Sequence, residues 1–208
     1  TDQFPDSKNS LFEFDIIIFG EINPEEFSIN EQDWLVEFVN QRGGGILFID
    51  GPRQKLRSYE NSEIHPLFSL LPVSWQKNGS GLLSPKSYYR PEANKELSAL
   101  ILDSDEERNE ELWKSIPLPA WTSPVESLPG SEVFLEVSVK GKEDGSPKDY
   151  RVPAIVGKTA GAGKSFYIGF DESWRWRYEV ADQYHQRFWN QIISRVMERP
   201  FSMNQGAV

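Results

Sequence analysis

Two short apolar runs flank an amphipathic helical pattern near the start of the chain. The runs cover residues 14–20 and 46–49, and almost uninterrupted runs of this kind are typical of strands buried on both faces of a parallel sheet. Between them, Ser28 and Glu31 have the spacing of a capping box, and apolar residues then repeat at helical intervals until Gly43. The pattern predicts a βαβ unit with a right-handed crossover.

The middle of the chain has a different texture. Residues from about 53 to 130 are rich in proline, serine and charge, and we interpret them as an elaborate insertion within one domain that covers residues 1–208. Four prolines between 117 and 129 exclude ordinary helix there. Short helical patterns are predicted near residues 65–71, 92–102 and 105–113.

The C-terminal part of the chain returns to regular patterns. Apolar residues four apart from Val180 to Val196 predict a last helix, over about 180–199, that packs on the sheet, and a frayed tail is expected from about 201 to 208. Strands are predicted at 133–139, 151–156 and 165–170, with hairpin loops at 141–148 and 158–164.

Composition limits the possible functions. The formal net charge is −10, and no basic stripe offsets it, so nucleic acid is not an expected partner. The chain has no cysteine, which excludes disulfides, thiolate metal sites and a cysteine nucleophile. No apolar run approaches the roughly 20 residues of a membrane span. The chain starts at Thr1 without a methionine, and we expect it to be a segment of a longer protein.

A phosphate-binding loop is suggested by the residues from Gly157 to Ser165, but two features argue against it. The pattern requires a glycine where Lys158 stands, and Ser165 opens another apolar strand where a P-loop would open a helix. The clustered glycines instead predict a hairpin turn.

Several stretches together resemble the glutamine amidotransferase-like domains of bacterial membrane-anchored proteins. They are residues 14–20, 38–53, 169–177 and 185–189, and the resemblance spans nearly the whole chain. It implies a flavodoxin-like, class I glutamine amidotransferase-like three-layer α/β sandwich, with a mixed, mostly parallel sheet and a long insertion. Such domains are often found near von Willebrand factor A-type modules and membrane helices.

The resemblance does not bring the activity of that family with it. In class I amidotransferases a cysteine occupies the sharp turn after the strand that matches residues 46–49, and a His-x-Glu pair follows a late strand. Here the turn position is Asp50, and the late strand ends in Asp171, Glu172 and Ser173. A thiol-dependent glutaminase is therefore excluded, and whether any other catalysis remains is left open.

Three carboxylates follow predicted parallel strands and are the candidate catalytic residues. If the strands end on one side, Glu21, Asp50 and Asp171 converge there, as a hard cation or a general acid and base would require. The alternative is that each carboxylate caps a turn or pairs with an arginine such as Arg53. We expect no metal ion and no other cofactor.

A second candidate surface comes from alternating tryptophans and arginines after the last strand. If this stretch is extended, both tryptophans lie on one face and both arginines on the other, which suits a planar anion, a sugar or a protein partner. The alternative is a structural lock with tryptophan in the core and arginine holding Asp171 or Glu179. The residues of this predicted rim are Arg53, Trp174, Arg175, Trp176 and Arg177.

These observations predict a non-catalytic binding or interaction domain of a larger, membrane-associated bacterial protein. Its expected partner is a protein or another domain of the same parent chain, with contact to a membrane only through segments outside this chain. The side of the membrane stays open. One alternative is a carboxylate-based or metal-assisted hydrolase that acts on a polar substrate at the strand ends. Another is a structural spacer in which the rim is fully packed.

Overall fold

The computed structural model describes residues 4–60, 65–77, 88–91, 100–143, 146–178 and 182–197. The helices are α1 (Lys8–Leu11), α2 (Ile29–Asn40), α3 (Glu106–Ser115) and α4 (Asp182–Val196), with short 3-10 helices at Pro24–Glu26, Leu56–Tyr59, Pro66–Leu70 and Glu172–Arg175. The strands are β1 (Ile16–Phe19), β2 (Gly45–Ile49), β3 (Val73–Trp75), β4 (Tyr88–Pro91), β5 (Val125–Ser127), β6 (Glu132–Glu143), β7 (Ser146–Ala160) and β8 (Gly163–Ile168).

The main sheet is mixed and has the strand order β1-β2-β8-β7-β6-β4. Strands β1, β2 and β8 are parallel, whereas β7, β6 and β4 continue the sheet through antiparallel pairings. Strands β3 and β5 form a separate antiparallel pair. The mixed α/β architecture predicted from the sequence is confirmed, and its parallel part brings the carboxyl ends of β1, β2 and β8 to one edge.

Helix α2 begins where the capping box predicts. The Ser28 backbone N–H donates to Glu31 Oε2 at 2.7 Å, and the Glu31 N–H donates to Ser28 Oγ at 3.3 Å, so two orphan donors of the first turn are satisfied. Leu35, Phe38 and Val39 are buried against the sheet. Because α2 connects the neighbouring parallel strands β1 and β2, the βαβ unit is confirmed.

Helices α2 and α4 cover opposite faces of the main sheet. On one face, α2 packs with β-strand residues such as Phe48 and Tyr167. On the other, Phe188 and Ile192 of α4 pack with Leu47 and a large aromatic cluster. Within the part of the chain that the structure describes, no helix combines the length and apolar character needed to cross a membrane.

The middle region contributes more to the core than its composition indicates. Strand β4 joins the main sheet beside β6, and Tyr89 on it packs edge-on against Trp113 of α3. Strands β3, β4 and β5 were not predicted, because they are short and lie among prolines and charges that mask any alternation. Asp105 caps α3, in agreement with the helical pattern predicted near residues 105–113. The pattern predicted near residues 65–71 is the 3-10 helix Pro66–Leu70. Residues 92–99 of the helical pattern predicted near 92–102 lie outside the described residues, as does the tail 201–208.

The predicted hairpin loops are shorter than expected. Strand β7 runs to Ala160 and β8 starts at Gly163, with Lys158 paired to Ser165, so the predicted loop at 158–164 is mostly strand. Strands β6 and β7 likewise extend into the predicted loop at 141–148. Backbone pairing continues here through polar residues that carry no strand-like alternation. The hairpin interpretation of the P-loop-like stretch is confirmed.

Glycines at the start of β2 and β8 allow the backbone to pack closely. A Cβ on Gly44 would collide with the Phe38 ring, and a Cβ on Gly163 would collide with the Gly44 carbonyl oxygen and lie 2.6 Å from the Val39 carbonyl oxygen. Backbone atoms cannot move aside as a flexible side chain can. Gly163 is therefore required for the contact between α2 and the sheet.

Replacing Gly163 with alanine is expected to lower the free energy of unfolding by about 3 kcal/mol, because the added methyl group meets two backbone carbonyls. Urea unfolding of the purified chain measures this change. Gly20→Ala is the matched control, since a Cβ at Gly20 has no neighbour within 4 Å. Equal stabilities for the two variants would contradict the proposed close packing.

Candidate functional site

The three predicted carboxylates lie at the same edge of the main sheet. Glu21 follows β1, Asp50 directly follows β2 and Asp171 follows β8, and these three strands are parallel neighbours. The Asp50 N–H donates to the Ile168 carbonyl oxygen at 2.8 Å, which joins the ends of β2 and β8. This edge is where open α/β sheets place their ligand sites.

Asp50 is completely buried and accepts four hydrogen bonds. Its Oδ2 accepts from Tyr167 Oη at 2.7 Å, from Ser123 Oγ at 2.7 Å and from Trp75 Nε1 at 3.1 Å. Its Oδ1 accepts from the Gly51 N–H at 3.1 Å. Trp75 Nε1 also donates to Ser123 Oγ at 2.9 Å. We call these residues the Asp50 network.

All four donors to Asp50 are neutral groups, and this has an electrostatic consequence. Burial raises the pKa of the Asp50 carboxyl, while the bonds from Tyr167, Ser123, Trp75 and Gly51 act in the opposite direction. Burial and the adjacent Asp50 carboxylate raise the pKa of the Tyr167 hydroxyl well above its ordinary value. The network therefore holds its acidic protons tightly and presents no exposed nucleophile or base.

The sequence did not identify the partners of Asp50. Tyr167 lies inside an apolar strand, where it looks like an ordinary core residue, and Trp75 and Ser123 come from the middle region. A contact across 73 residues, such as that between Ser123 and Asp50, leaves no local pattern. An isolated aromatic or serine beside proline in such a region carries no signal that could have indicated the network.

Glu21 and Asp171 both lie next to Gly51, the residue that follows Asp50. A Cβ on Gly51 would lie 2.5 Å from Glu21 Oε2 and 3.0 Å from Asp171 Oδ2, so the two carboxylate oxygens are no further apart than the sum of these distances. Arg53 Nε donates to Glu21 Oε2 at 3.0 Å, and the Lys55 N–H donates to Glu21 Oε1 at 3.3 Å. The pairing of Glu21 with Arg53 is one that the sequence suggested.

Asp171 differs from Glu21 in its surroundings. It lies at the surface, yet partial desolvation raises the pKa of its carboxyl, Glu172 and Glu21 raise it further, and Arg53 lowers it. Within the described ranges, no group of three or more histidine, cysteine, aspartate or glutamate side chains has an arrangement that could hold a metal ion. The three carboxylates thus lie at one edge, where the side chains of Asp50 and Glu21 are buried and Asp171 lies at the surface.

The alternation of tryptophan and arginine is not extended, and Trp176 is not part of a rim. Residues Glu172–Arg175 form a 3-10 helix, so the two tryptophans point in different directions. Trp176 is fully buried, donates from Nε1 to the Pro117 carbonyl oxygen at 3.1 Å and contacts the Phe188 ring at a centroid distance of 4.8 Å. The expectation that both tryptophans share one face is wrong, and for Trp176 the alternative of a structural lock holds.

Trp174 does face solvent. Its side chain is 56% exposed and it contacts the ring of Tyr178, which is 80% exposed. The arginines around this exposed aromatic pair have acidic partners. Arg175 Nη1 donates to Glu172 Oε2 and to the Leu118 carbonyl oxygen, both at 3.2 Å, and Arg177 Nε donates to Asp182 Oδ1 at 2.8 Å.

Removing the Asp50 side chain is expected to destabilise the fold more than neutralising it. Asp50→Ala leaves the Tyr167 and Ser123 hydroxyl donors without their acceptor in a buried site, and should lower the free energy of unfolding by about 3 kcal/mol. Asp50→Asn keeps one carbonyl oxygen for these donors and should lower it by about 1 kcal/mol at pH 7. Chemical unfolding of both variants measures the difference.

The control is the pH dependence of the stability difference between wild type and Asp50→Asn. Because the folded-state pKa of Asp50 is raised above its ordinary value of 3.8, protonation of this group stabilises the fold at low pH, and that stabilisation is lost as the pH rises through the folded-state pKa. The stability advantage of wild type over Asp50→Asn should therefore be larger at low pH than at neutral pH. A stability advantage of wild type that grows with pH would contradict the raised folded-state pKa of Asp50.

Neither a protein-family model nor a curated protein matches the chain. Solved structures match at low sequence identity. The chain is similar to the cytoplasmic protein STM3548 from Salmonella typhimurium, with a TM-score of 0.66 and 16% identity over 94% of this chain and 76% of that chain. It is similar to the cytoplasmic protein STM1381 from Salmonella typhimurium LT2, with a TM-score of 0.61 and 18% identity over 93% of this chain and 76% of that chain.

A third match is part of an enzyme. Gan42B, a GH42 beta-galactosidase from G. stearothermophilus, has a TM-score of 0.51 and 15% identity. The match covers 93% of this chain but 23% of the beta-galactosidase chain, so this chain spans less than a quarter of that enzyme's length. At such identities the likeness concerns the fold alone. The comparisons show that the chain shares its mixed α/β fold with the two Salmonella proteins and with part of the beta-galactosidase.

Proposed function

We propose that this chain is a non-catalytic binding domain with a class I amidotransferase-like fold. The observation that supports it most is the burial of Asp50. This residue occupies the turn where the resemblance places a nucleophile, yet four hydrogen bonds and complete burial separate it from solvent. A position that delivers the reactive atom in an enzyme of that family serves here to hold the fold together.

The finer fold assignment rests on the arrangement of the parallel strands. A flavodoxin-like, three-layer sandwich requires helices on both faces of a parallel core, and α2 and α4 lie on opposite faces of β2 and β8. The three matched proteins are not named as amidotransferases, so this assignment depends on the residues that carry the resemblance and on this packing.

The binding surface that we propose is the exposed aromatic pair with its charged surroundings. Trp174 and Tyr178 expose large aromatic surfaces shortly after Asp171 in the chain, and the Arg53 side chain, which lowers the pKa of Asp171, is 69% exposed. Exposed aromatic and arginine side chains are enriched where proteins bind other proteins. The partner that we propose is a protein or another domain of a larger membrane-associated bacterial protein.

A carboxylate-based hydrolase is the second candidate, and one observation favours it. Glu21 and Asp171 each carry an oxygen close to Gly51, and their surroundings differ, with Glu21 paired to Arg53 and the pKa of Asp171 raised. Two carboxylates in unlike environments are the arrangement of a general acid and a general base. In this candidate Asp171 is the acid, and a sugar substrate agrees with the similarity to part of a beta-galactosidase.

The experiment that separates the two functions measures hydrolysis of chromogenic glycosides, esters and phosphates by wild type, Glu21→Gln and Asp171→Asn. A non-catalytic domain gives the same background rate for all three proteins. Turnover by wild type that both substitutions abolish, with unchanged thermal unfolding, would support the hydrolase and contradict the binding domain.

The proposed surface is tested in the parent protein by a photo-crosslinking residue at position 174. We expect a discrete crosslinked product from this position, because a bound partner covers the aromatic pair. Position 150 is the matched control, since Tyr150 is also an exposed aromatic residue but lies on β7. The same products from both positions, or none from position 174, would show that Trp174 is not in a binding surface.

A further inference from the structure

A surface cavity lies between α4 and the segment that precedes α3. Its volume is about 400 Å³, which is within the usual range of small-ligand pockets. The lining residues are Ile101, Ser104, Arg187, Asn190 and Gln191. We call it the α4 cavity. None of its residues belongs to the Asp50 network or to the exposed aromatic pair.

The wall opposite α4 has no regular secondary structure, yet side chains from two helices hold it in place. Gln191 of α4 accepts from the Ile101 N–H at 2.9 Å and donates from Nε2 to the Ile101 carbonyl oxygen at 2.7 Å. Asn109 of α3 accepts from the N–H of the buried Leu102 at 2.7 Å. Because helix side chains bind these backbone groups, the cavity is formed before any ligand enters.

Arg187 brings a positive charge to the cavity. Its Nη1 donates to the Leu102 carbonyl oxygen, and a guanidinium has five N–H donors, so others remain for a ligand. No acid among the described residues forms an ion pair with it. By contrast, ion pairs with acids are formed by Arg42, Arg53, Arg108, Arg151, Arg175 and Arg177.

The neighbours of Arg187 do not neutralise its charge. The residues three and four positions away on α4 are all without charge at neutral pH, namely Gln183, Tyr184, Asn190 and Gln191. Two acids follow the cavity wall in the chain, but they face other groups. Asp103 pairs with Arg108 Nε at 3.4 Å, and Asp105 accepts from the Arg108 N–H at 2.8 Å.

Two neutral polar side chains of the cavity are also available to a ligand. Within the part of the chain that the structure describes, the Ser104 hydroxyl and the Asn190 carboxamide form no hydrogen bond. Beside them, the Ile101 side chain is 49% exposed and provides an apolar surface. A few polar groups around an apolar surface are the usual composition of a small-molecule site.

We propose that the α4 cavity binds a small monocarboxylate with an apolar body. The planar guanidinium of Arg187 matches the two oxygens of a carboxylate, and Ser104 and Asn190 can donate to the same oxygens. The apolar body of the ligand covers Ile101. One guanidinium balances one negative charge, whereas a phosphate dianion would add a second in a chain of net charge −10.

This inference goes beyond the proposed binding function. It concerns a small molecule, and its residues come from α4 and the segment before α3, whereas the proposed partner surface centres on Trp174 and Tyr178. Either proposal can fail without affecting the other.

The test is a titration followed by NMR of the side-chain N–H groups. The probes are isovalerate, benzoate and phenylacetate, with the corresponding amides and inorganic phosphate for comparison. The carboxylates are expected to shift the Arg187 Nε–H and Asn190 amide resonances with a Kd of about 1 mM or below. The amides should bind about tenfold more weakly or less, because they carry no charge.

Two cavity variants and one matched control locate the binding. Arg187→Gln removes the positive charge, and Asn190→Asp places a negative charge beside it, so each should weaken benzoate binding by about tenfold or more. Asn190→Asp leaves the hydrogen bond from Arg187 to Leu102 in place, and thermal unfolding checks that both variants are folded. Asn30→Asp makes the same substitution at an exposed position of α2, on the other face of the sheet, and should bind as wild type does.

Benzoate binding that both cavity variants weaken and Asn30→Asp retains supports the proposal. The proposal is overturned if no carboxylate shifts these resonances at about 10 mM, or if the amides bind as tightly as the carboxylates. Tighter binding of phosphate would overturn the assignment to a monocarboxylate. Equal benzoate affinity of wild type and folded Asn190→Asp would place the binding outside the cavity and also overturn it.

Discussion

The buried carboxylate of Asp50 is the interaction on which this structure depends. It accepts hydrogen bonds from three separate parts of the chain, namely Tyr167 on β8, Trp75 on β3 and Ser123 just before β5. The Ser123 N–H also donates to the Gly169 carbonyl oxygen at 2.7 Å. Because the donors converge on one residue at the end of β2, the small β3–β5 sheet is fixed against the strand ends of the main sheet.

Burying a carboxyl group that accepts hydrogen bonds only from neutral donors costs desolvation energy, and what the fold gains from it is specificity. Any shift of the middle region would leave a carboxylate or several donors unpaired in an apolar environment, which is costly. The network thus specifies one position for a long, proline-rich segment that has little regular structure of its own. It also fills the space behind the turn that follows β2, whereas Asp171, Arg53 and Trp174 lie at the surface.

Local patterns in the sequence predicted most of the main helices and strands, whereas contacts between residues far apart in the chain determine the structure of the candidate site. The capping box at Ser28 and the four-residue spacing of α4 act within a few residues, so the βαβ unit and the last helix could be predicted. The partners of Asp50 could not, since they come from segments far apart in the chain. Trp176 was misassigned for another reason. The alternation of tryptophan and arginine fits a strand, but the chain turns into a 3-10 helix there, and burial against Phe188 decides its direction.

The measurement that tests the central claim most directly is hydrogen exchange of the tryptophan indole N–H groups by NMR. If the Asp50 network is a permanent structural element, Trp75 Nε1–H exchanges only through global unfolding, with a free energy of opening equal to that of unfolding. The exposed Trp174 provides the fast reference in the same spectrum. Exchange of Trp75 through a local opening of much lower free energy would show that solvent reaches Asp50 in the folded state, and would contradict the account of a sealed, non-catalytic site.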